Sequence, residues 1–435
     1  SIYGGSCGLY RYDANYKWTE KDKTDIGSIA IGTMESYTPT ENQVISLYPM
    51  ASERKGGTDT EGNQLPNDNW YKDANGNPLD SWQSMPTLFG IVGLTPEEKA
   101  AGVEAYNTFV DFACPYGDRD QYQMTDAVLS NVYGGGYGMC NEIGRVDADS
   151  TYVLVRSHQT SNYRHADNVF GGGYFSYVKN SKLDGVSGRF NNLYGGTYGT
   201  TVDQTVAYKL NAEAKKAARE QTTQWGSPIM NEDGTFADES YSVLQELDVE
   251  QLQTADYTSA STIVNVYPNM NNNAAMNVFG AGAYTGSDTT HVTLIGGLMY
   301  EVYGGSNQEG VCRNATVDVP ERSAVNMFAL FGGSHGSYKS LPCDVHDATI
   351  NFNSDNAIVR DSCIYGGNNE FRATYNTTIN YNAQAKVSAA ADAMYLNLYG
   401  AGNGENTVAG NTHVNLMEHA IVRNAFGGGR DGSVF

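Results

Sequence analysis

Asp147 with Asp149, Asp344 with Asp347, and Glu370 with Arg372 are the close groupings in this chain whose side chains suit acid–base chemistry. Two carboxyl groups that flank a sugar linkage can cleave it, one as acid and the other as base or nucleophile. A Lys or Arg base beside a carboxylate-bound calcium would serve lyase chemistry instead. None of these groupings recurs at a readable spacing. They read as acids solvated on a scaffold, no catalytic residue is assigned, and the reading leans away from an enzyme. His291 and His413 share one strand position with Thr316, Thr349, Thr378 and Tyr152. A slot that accepts such different side chains is structural rather than metal-binding. His158, His165, His335, His346 and His419 show no HExxH-type spacing. Oxygen ligands do alternate along Asp73-Ala74-Asn75-Gly76-Asn77-Pro78-Leu79-Asp80. Asp73, Asn75, Asn77 and Asp80 would suit calcium, while the same letters also spell a plain hairpin turn. No other cofactor is implied. Tyr137, Tyr174, Tyr198 and Tyr284 offer a different chemistry, because aromatic faces pack against the C–H faces of sugar rings.

What would position those tyrosines is a repeat. An aliphatic residue, an aromatic residue and two glycines recur ten times, from Ile2-Tyr3-Gly4-Gly5 to Ala425-Phe426-Gly427-Gly428. The second glycine is Ala in Ala281 and Ala401. Asn precedes the aliphatic at Asn131, Asn168, Asn192, Asn277, Asn397 and Asn424. Successive aromatics lie 24 residues apart at the closest, with larger gaps of variable length. A fixed minimum with variable excess is the signature of coils whose corners bulge into loops. Helical repeats need about 33 to 47 residues.

Between the aromatics runs a second signature, as in His291-Val292-Thr293-Leu294, Thr349-Ile350-Asn351-Phe352 and Thr378-Ile379-Asn380-Tyr381. Its period-two alternation marks a strand with one buried face. Each coil therefore offers at least two strands. One coil cannot bury its apolar face alone, but stacked coils pair at about 4.8 Å. Stacking would align Val132, Val169 and Leu193 in one column and the Tyr/Phe position in another. The glycines are expected to supply positive φ at a sharp corner and close approach between coils.

The expected fold is an all-β parallel solenoid of about ten coils with two mixed α/β insertions. Residues 1–10 would form the first coil, 11–125 an insertion with hairpins and a helix starting at Thr95-Pro96-Glu97-Glu98, and 126–206 further coils. Residues 207–262 would form a helical insertion and 263–435 the remaining coils. The position four residues after each aromatic reads Cys7, Tyr137, Tyr174, Tyr198, Ala283, Asn307, His335, Asn369, Asn403 and Arg430, with Tyr284 one place later in the fifth coil. Stacking would line these up as a ridge, either a glycan track or a turn-stabilising ladder.

A net charge of −22 and a pI near 4.6 argue against nucleic acid and anionic membrane surfaces as partners. No apolar run is long enough for membrane insertion. With 49 Gly and 31 Tyr, the composition suits many strands joined by tight turns. Cys7, Cys114, Cys140, Cys312, Cys343 and Cys363 form no CxxC pair; they read as small buried residues, with disulfides open if the protein is exported. The chain begins and stops within repeats, which suggests part of a longer chain or assembly.

On these motifs the chain resembles the right-handed parallel β-helix proteins of the pectin-lyase-like class. More narrowly, it resembles bacterial adhesin-like surface proteins with "VYGGG" coils. The resemblance implies a secreted or cell-surface location and a glycan or host-surface partner. It implies an adhesin or structural stalk, with a β-helix polysaccharide lyase or glycoside hydrolase as the alternative. A phage or virion fibre is a third reading.

Overall fold

The structure, a computed structural model, describes residues 2–3, 30–31, 44–46, 108–112, 129–136, 147–156, 166–174, 177–199, 259–270, 276–337 and 342–434. These residues form a parallel β-solenoid. One ten-stranded parallel sheet carries the motif, running from Ile2–Tyr3 through Leu129–Tyr133, Ala166–Phe170 and Phe190–Tyr194 to Asn424–Phe426. Every motif pairs in register with the next. Tyr133 faces Phe170, Phe170 faces Tyr194, Tyr303 faces Phe331 and Tyr399 faces Phe426. The helix expected from Thr95 and the helical runs of the second insertion lie outside the described residues.

A twelve-stranded parallel sheet forms the long side of each coil, with strands such as Ser287–Leu294, Cys312–Val319, Val345–Phe352 and Phe371–Tyr381. Val44–Ser46 and Thr108–Phe112, from within the 11–125 stretch, extend it by parallel pairing, and Ala30–Ile31 joins it against Asp147–Arg156. The strand Ser261–Asn269 begins inside the last two residues of the 207–262 stretch. A third side exists but is very short: Asn326–Met327 pairs with Ile358–Val359, with single bridges at Leu298 and Lys386. Strands of one or two residues leave no period in the sequence. Among the described residues, no helix is long and apolar enough to cross a membrane.

Consecutive strand residues point to opposite faces. From Val132 to Leu398 the aliphatic of the motif therefore enters the lumen, where Val132, Val169, Leu193, Val278, Val302, Leu330, Ile364 and Leu398 are fully buried. There they meet Val292, Val317, Ile350 and Ile379 of the long strands. The neighbouring aromatic points the other way and joins a second core outside the lumen. From Tyr133 to Phe426 its rings stack with centroids 4.6 to 5.4 Å apart. Each such pair contributes roughly 0.5–1.5 kcal/mol beyond burial.

The motif glycines serve one of the two expected purposes. Among the described glycines, positive φ occurs at Gly188, Gly297, Gly310 and Gly336, none of them in the motif. Close approach is what requires the first glycine. A Cβ on Gly171 would collide with the carbonyl oxygen of Gly195, and one on Gly332 with that of Gly366. The buried hydroxyl column of the long strands seals the same corner. Thr151 donates to Gly171 O at 2.6 Å, Thr262 to Gly280 O at 2.7 Å and Thr377 to Gly400 O at 2.5 Å. Each residue lies one place before the Tyr, Ile or Thr of the outward column.

Cys312, Cys343 and Cys363 are buried free thiols. Burial pushes the Cys312 thiol up to about 12 and the Cys343 thiol up to about 11, so both are inert at neutral pH.

Candidate functional site

The outer aromatic column needs a roof, because stacked rings facing water would forfeit their burial. The residues four or five places beyond each aromatic supply it. After the glycines the chain folds back over the rings, and its amides staple rung to rung: Tyr174 N–H to Gly136 O, Tyr198 N–H to Gly173 O and Tyr284 N–H to Tyr198 O. His335, Asn369 and Asn403 continue the series by donating to Ser306, Ser334 and Asn368 carbonyls, each at 3.0 Å. The ridge is thus continuous from Tyr174 to Arg430.

Its first half is aromatic. Tyr174 stacks on Tyr198 at 5.0 Å, and Tyr198 meets Tyr284 at 5.3 Å with a 60° tilt. Both Tyr174 and Tyr198 also rest edge-on against the inner column, on Tyr133 at 5.6 Å and Phe170 at 5.8 Å. All three ridge tyrosines are half-buried. Tyr137 lies outside the described residues, as do Asp73, Asn75, Asn77 and Asp80 of the loop considered for calcium.

The second half is polar, and its side chains reach back two rungs. Asn307 Nδ2 donates to the Tyr194 hydroxyl at 2.9 Å, passing over Phe279. Asn369 Nδ2 donates to the Tyr303 hydroxyl at 2.8 Å, passing over Phe331. Arg430 reaches the Tyr365 hydroxyl at 3.3 Å across Tyr399. A buried phenol without a partner costs about 1–3 kcal/mol, so these contacts are what permit Tyr rather than Phe in the column. Along the ridge, Asn403 donates to Asn369 Oδ1 at 3.0 Å, and His335 Nδ1 lies 2.9 Å from Asn307 Oδ1.

Glu301 is a ridge-side residue that sequence reasoning missed. It precedes Val302 where other coils carry Asn, and it accepts the Tyr303 hydroxyl proton at 2.6 Å. Burial pushes its carboxyl above the usual range, partly offset by that hydrogen bond. The substitution of Glu for Asn in the motif was the one legible sign. Glu370 faces His335 at 3.4 Å.

The other acids found in the sequence are otherwise engaged. Asp344 is fully buried and forms a two-pronged pair with Arg372, with contacts of 2.7 and 3.2 Å, while also accepting the Ala373 amide at 2.9 Å. Arg372, two places after Glu370, holds a φ of 79° and pairs with Asp344. Asp347 contacts His346 at 2.7 Å and accepts from Asn376. Asp147 and Asp149 lie in the strand Asp147–Arg156. The histidine slot is one column: Tyr152, Lys182, Ile263, His291, Thr316, Thr349, Thr378 and His413 stand rung upon rung. His291 pairs with Asp318 at 2.8 Å, which raises its pKa.

Chemically, the ridge presents ring faces in one half and amide, imidazole and guanidinium donors in the other, at one set per coil. Compared with family models, curated proteins and solved structures, the chain matches none.

Proposed function

We propose that this chain is a secreted or cell-surface solenoid, an adhesin or structural stalk, that holds a glycan along the corner ridge. The observation that carries this reading is the stacked pair Tyr174–Tyr198 continued by Tyr284 and then by the Asn307–His335–Asn369–Asn403 line. Coils repeat at about 4.8 Å, close to the length of one sugar ring in an extended chain. Ring faces would take the C–H surfaces of successive sugars, and the half-buried Asn307, His335 and Asn403 would take their hydroxyls with the hydrogen-bonding capacity that the ridge's own bonds leave over. A chain of net charge −22 favours neutral sugars over polyanions. Polysaccharide cleavage is the second reading, and Glu301, with its raised pKa beside the same ridge, is the residue that favours it.

The test is a glycan array run beside assays for new reducing ends and unsaturated products. Binding without product is expected. Tyr198→Ala should weaken binding roughly tenfold, equivalent to ~1.4 kcal/mol. Unchanged affinity in Tyr174→Ala and Tyr198→Ala would remove the ridge as the site, and product formation would overturn the non-enzymatic reading.

A further inference from the structure

The polar half of the corner ridge repeats every two coils rather than every coil. Each coil places two residues there, four and five positions past its aromatic: Asn307-Gln308, then His335-Gly336, then Asn369-Glu370, then Asn403-Gly404. In the first and third of these coils the Asn turns inward to a phenol, Asn307 to Tyr194 at 2.9 Å and Asn369 to Tyr303 at 2.8 Å. The residue that follows carries the surface, with Gln308 half-buried and Glu370 exposed. In the second and fourth coils the order is reversed. His335 and Asn403 are half-buried and lie against the Asn of the coil before, at 2.9 and 3.0 Å, and a glycine follows each.

Packing enforces this alternation. Gly336 holds a φ of 68°, and a Cβ there would run into the carbonyl oxygen of Phe371. A Cβ on Gly404 would fall 2.8 Å from the carbonyl oxygens of both Asn369 and Glu370. The coil that carries Glu370 is therefore wedged between two glycines. The buried column explains the period: Tyr194 and Tyr303 have Phe279 between them, and Tyr303 and Tyr365 have Phe331. Each phenol needs a cap, and the cap comes from two coils on. A ligand that keeps register with such a track must repeat every two coils, about 10 Å. It must also be straight, because successive rings of the inner column are tilted by only 3° to 14°. Extended β-1,4-linked hexose chains meet both conditions. Each sugar is turned over relative to the last, so the same edge returns at every second sugar. Chains linked α-1,4 or β-1,3 coil away from a straight track.

We propose that the ridge selects neutral β-1,4-linked glycans, one sugar per coil and one disaccharide per two coils. Gln308 and Glu370 hydrogen-bond one edge of every second sugar, and His335 and Asn403 serve the sugars between. Selection comes from register: a chain of another linkage meets these groups at one coil and misses them at the next, leaving its hydroxyls unpaired against the ridge. This deepens the glycan reading above and rests on it.

The experiment titrates the whole 435-residue chain calorimetrically with cellohexaose, mannohexaose, maltohexaose and laminarihexaose. The two β-1,4 hexaoses should bind roughly tenfold or more tightly than the α-1,4 and β-1,3 hexaoses. The double variant Gln308→Ala, Glu370→Ala should lose most of that preference, and circular dichroism checks that it folds. Asn403→Ala, at a position outside the phenol caps, should weaken the β-1,4 hexaoses selectively. Maltohexaose or laminarihexaose bound as tightly as the β-1,4 hexaoses overturns this selectivity and leaves the glycan reading standing. A double variant with the preference of wild type overturns it as well. Binding of none of the four hexaoses overturns it too, and a glycan array without a single ligand removes the underlying reading.

Discussion

The two halves of the corner ridge occupy the same place in successive coils yet behave differently. From Tyr174 to Tyr284 the ridge is made of rings resting edge-on against the inner column. From Asn307 to Arg430 it is polar: Asn307, Asn369 and Arg430 reach two rungs back to cap phenol hydroxyls, and His335 and Asn403 bond to their ridge neighbours. Backbone stapling is the same in both halves. What differs is therefore set by side chains alone. Asn307, Asn369 and Arg430 are each committed to a phenol hydroxyl two rungs back. The ridge tyrosines are half-buried and hold their place through ring contacts. A repeat can thus hold its architecture constant while changing what its surface offers.

The comparison can be broken most forcefully through the polar half. Asp344→Ala removes the fully buried carboxylate that pairs with the buried Arg372 guanidinium, and urea unfolding should report a loss of about 3–5 kcal/mol. A loss below about 1 kcal/mol would mean that the pair is not what anchors the polar corners. Next in size are Gly171→Ala and Gly332→Ala, one in each half. Each puts a methyl group into a neighbouring carbonyl. Both should cost about 1–3 kcal/mol and by similar amounts, read as the fall in thermal midpoint. Unequal costs would show that the two corners do not share one backbone design.

The smallest effect sharpens the contrast. Tyr303→Phe removes the hydroxyl that takes Asn369 and donates to Glu301, and should cost roughly 1–2 kcal/mol. It should also carry a pH signature, because that hydroxyl lowers the Glu301 pKa, which burial holds above its usual value. A carboxyl whose folded pKa lies above its unfolded value supports the fold fully at pH below the unfolded pKa, and that support is lost as pH rises through the folded pKa. The destabilisation in Tyr303→Phe should therefore be largest near neutrality and shrink in acid. A pH-independent cost would separate Glu301 from the ridge.

Much of this was legible in residue order. The spacing of Tyr133, Phe170 and Tyr194 announced a rung, and His291-Val292-Thr293-Leu294 announced a half-buried strand; both fall in register. The requirement for close approach at Gly171 and Gly332 was legible too, whereas the expected positive φ was not needed there. The outward placement of the rings was available from strand alternation, since Val169 and Phe170 are neighbours and must face opposite ways. The third side was not legible, because Asn326–Met327 and Ile358–Val359 are too short to show a period. Nor was Asn369 against Tyr303, a contact between residues 66 positions apart.

Residue order by itself determines that the coils stack, which residues share a column, and where the chain must turn without a side chain. These properties are translational, so each follows from comparing one copy of the motif with the next. Which outward residue is spent on a buried hydroxyl, which acid is sunk into an ion pair and which rings lie half-buried on the ridge were decided only in three dimensions. Those contacts cross two rungs or join a corner to a strand, and their partners depend on loops of unequal length between coils, which shift sequence distance without shifting spatial distance.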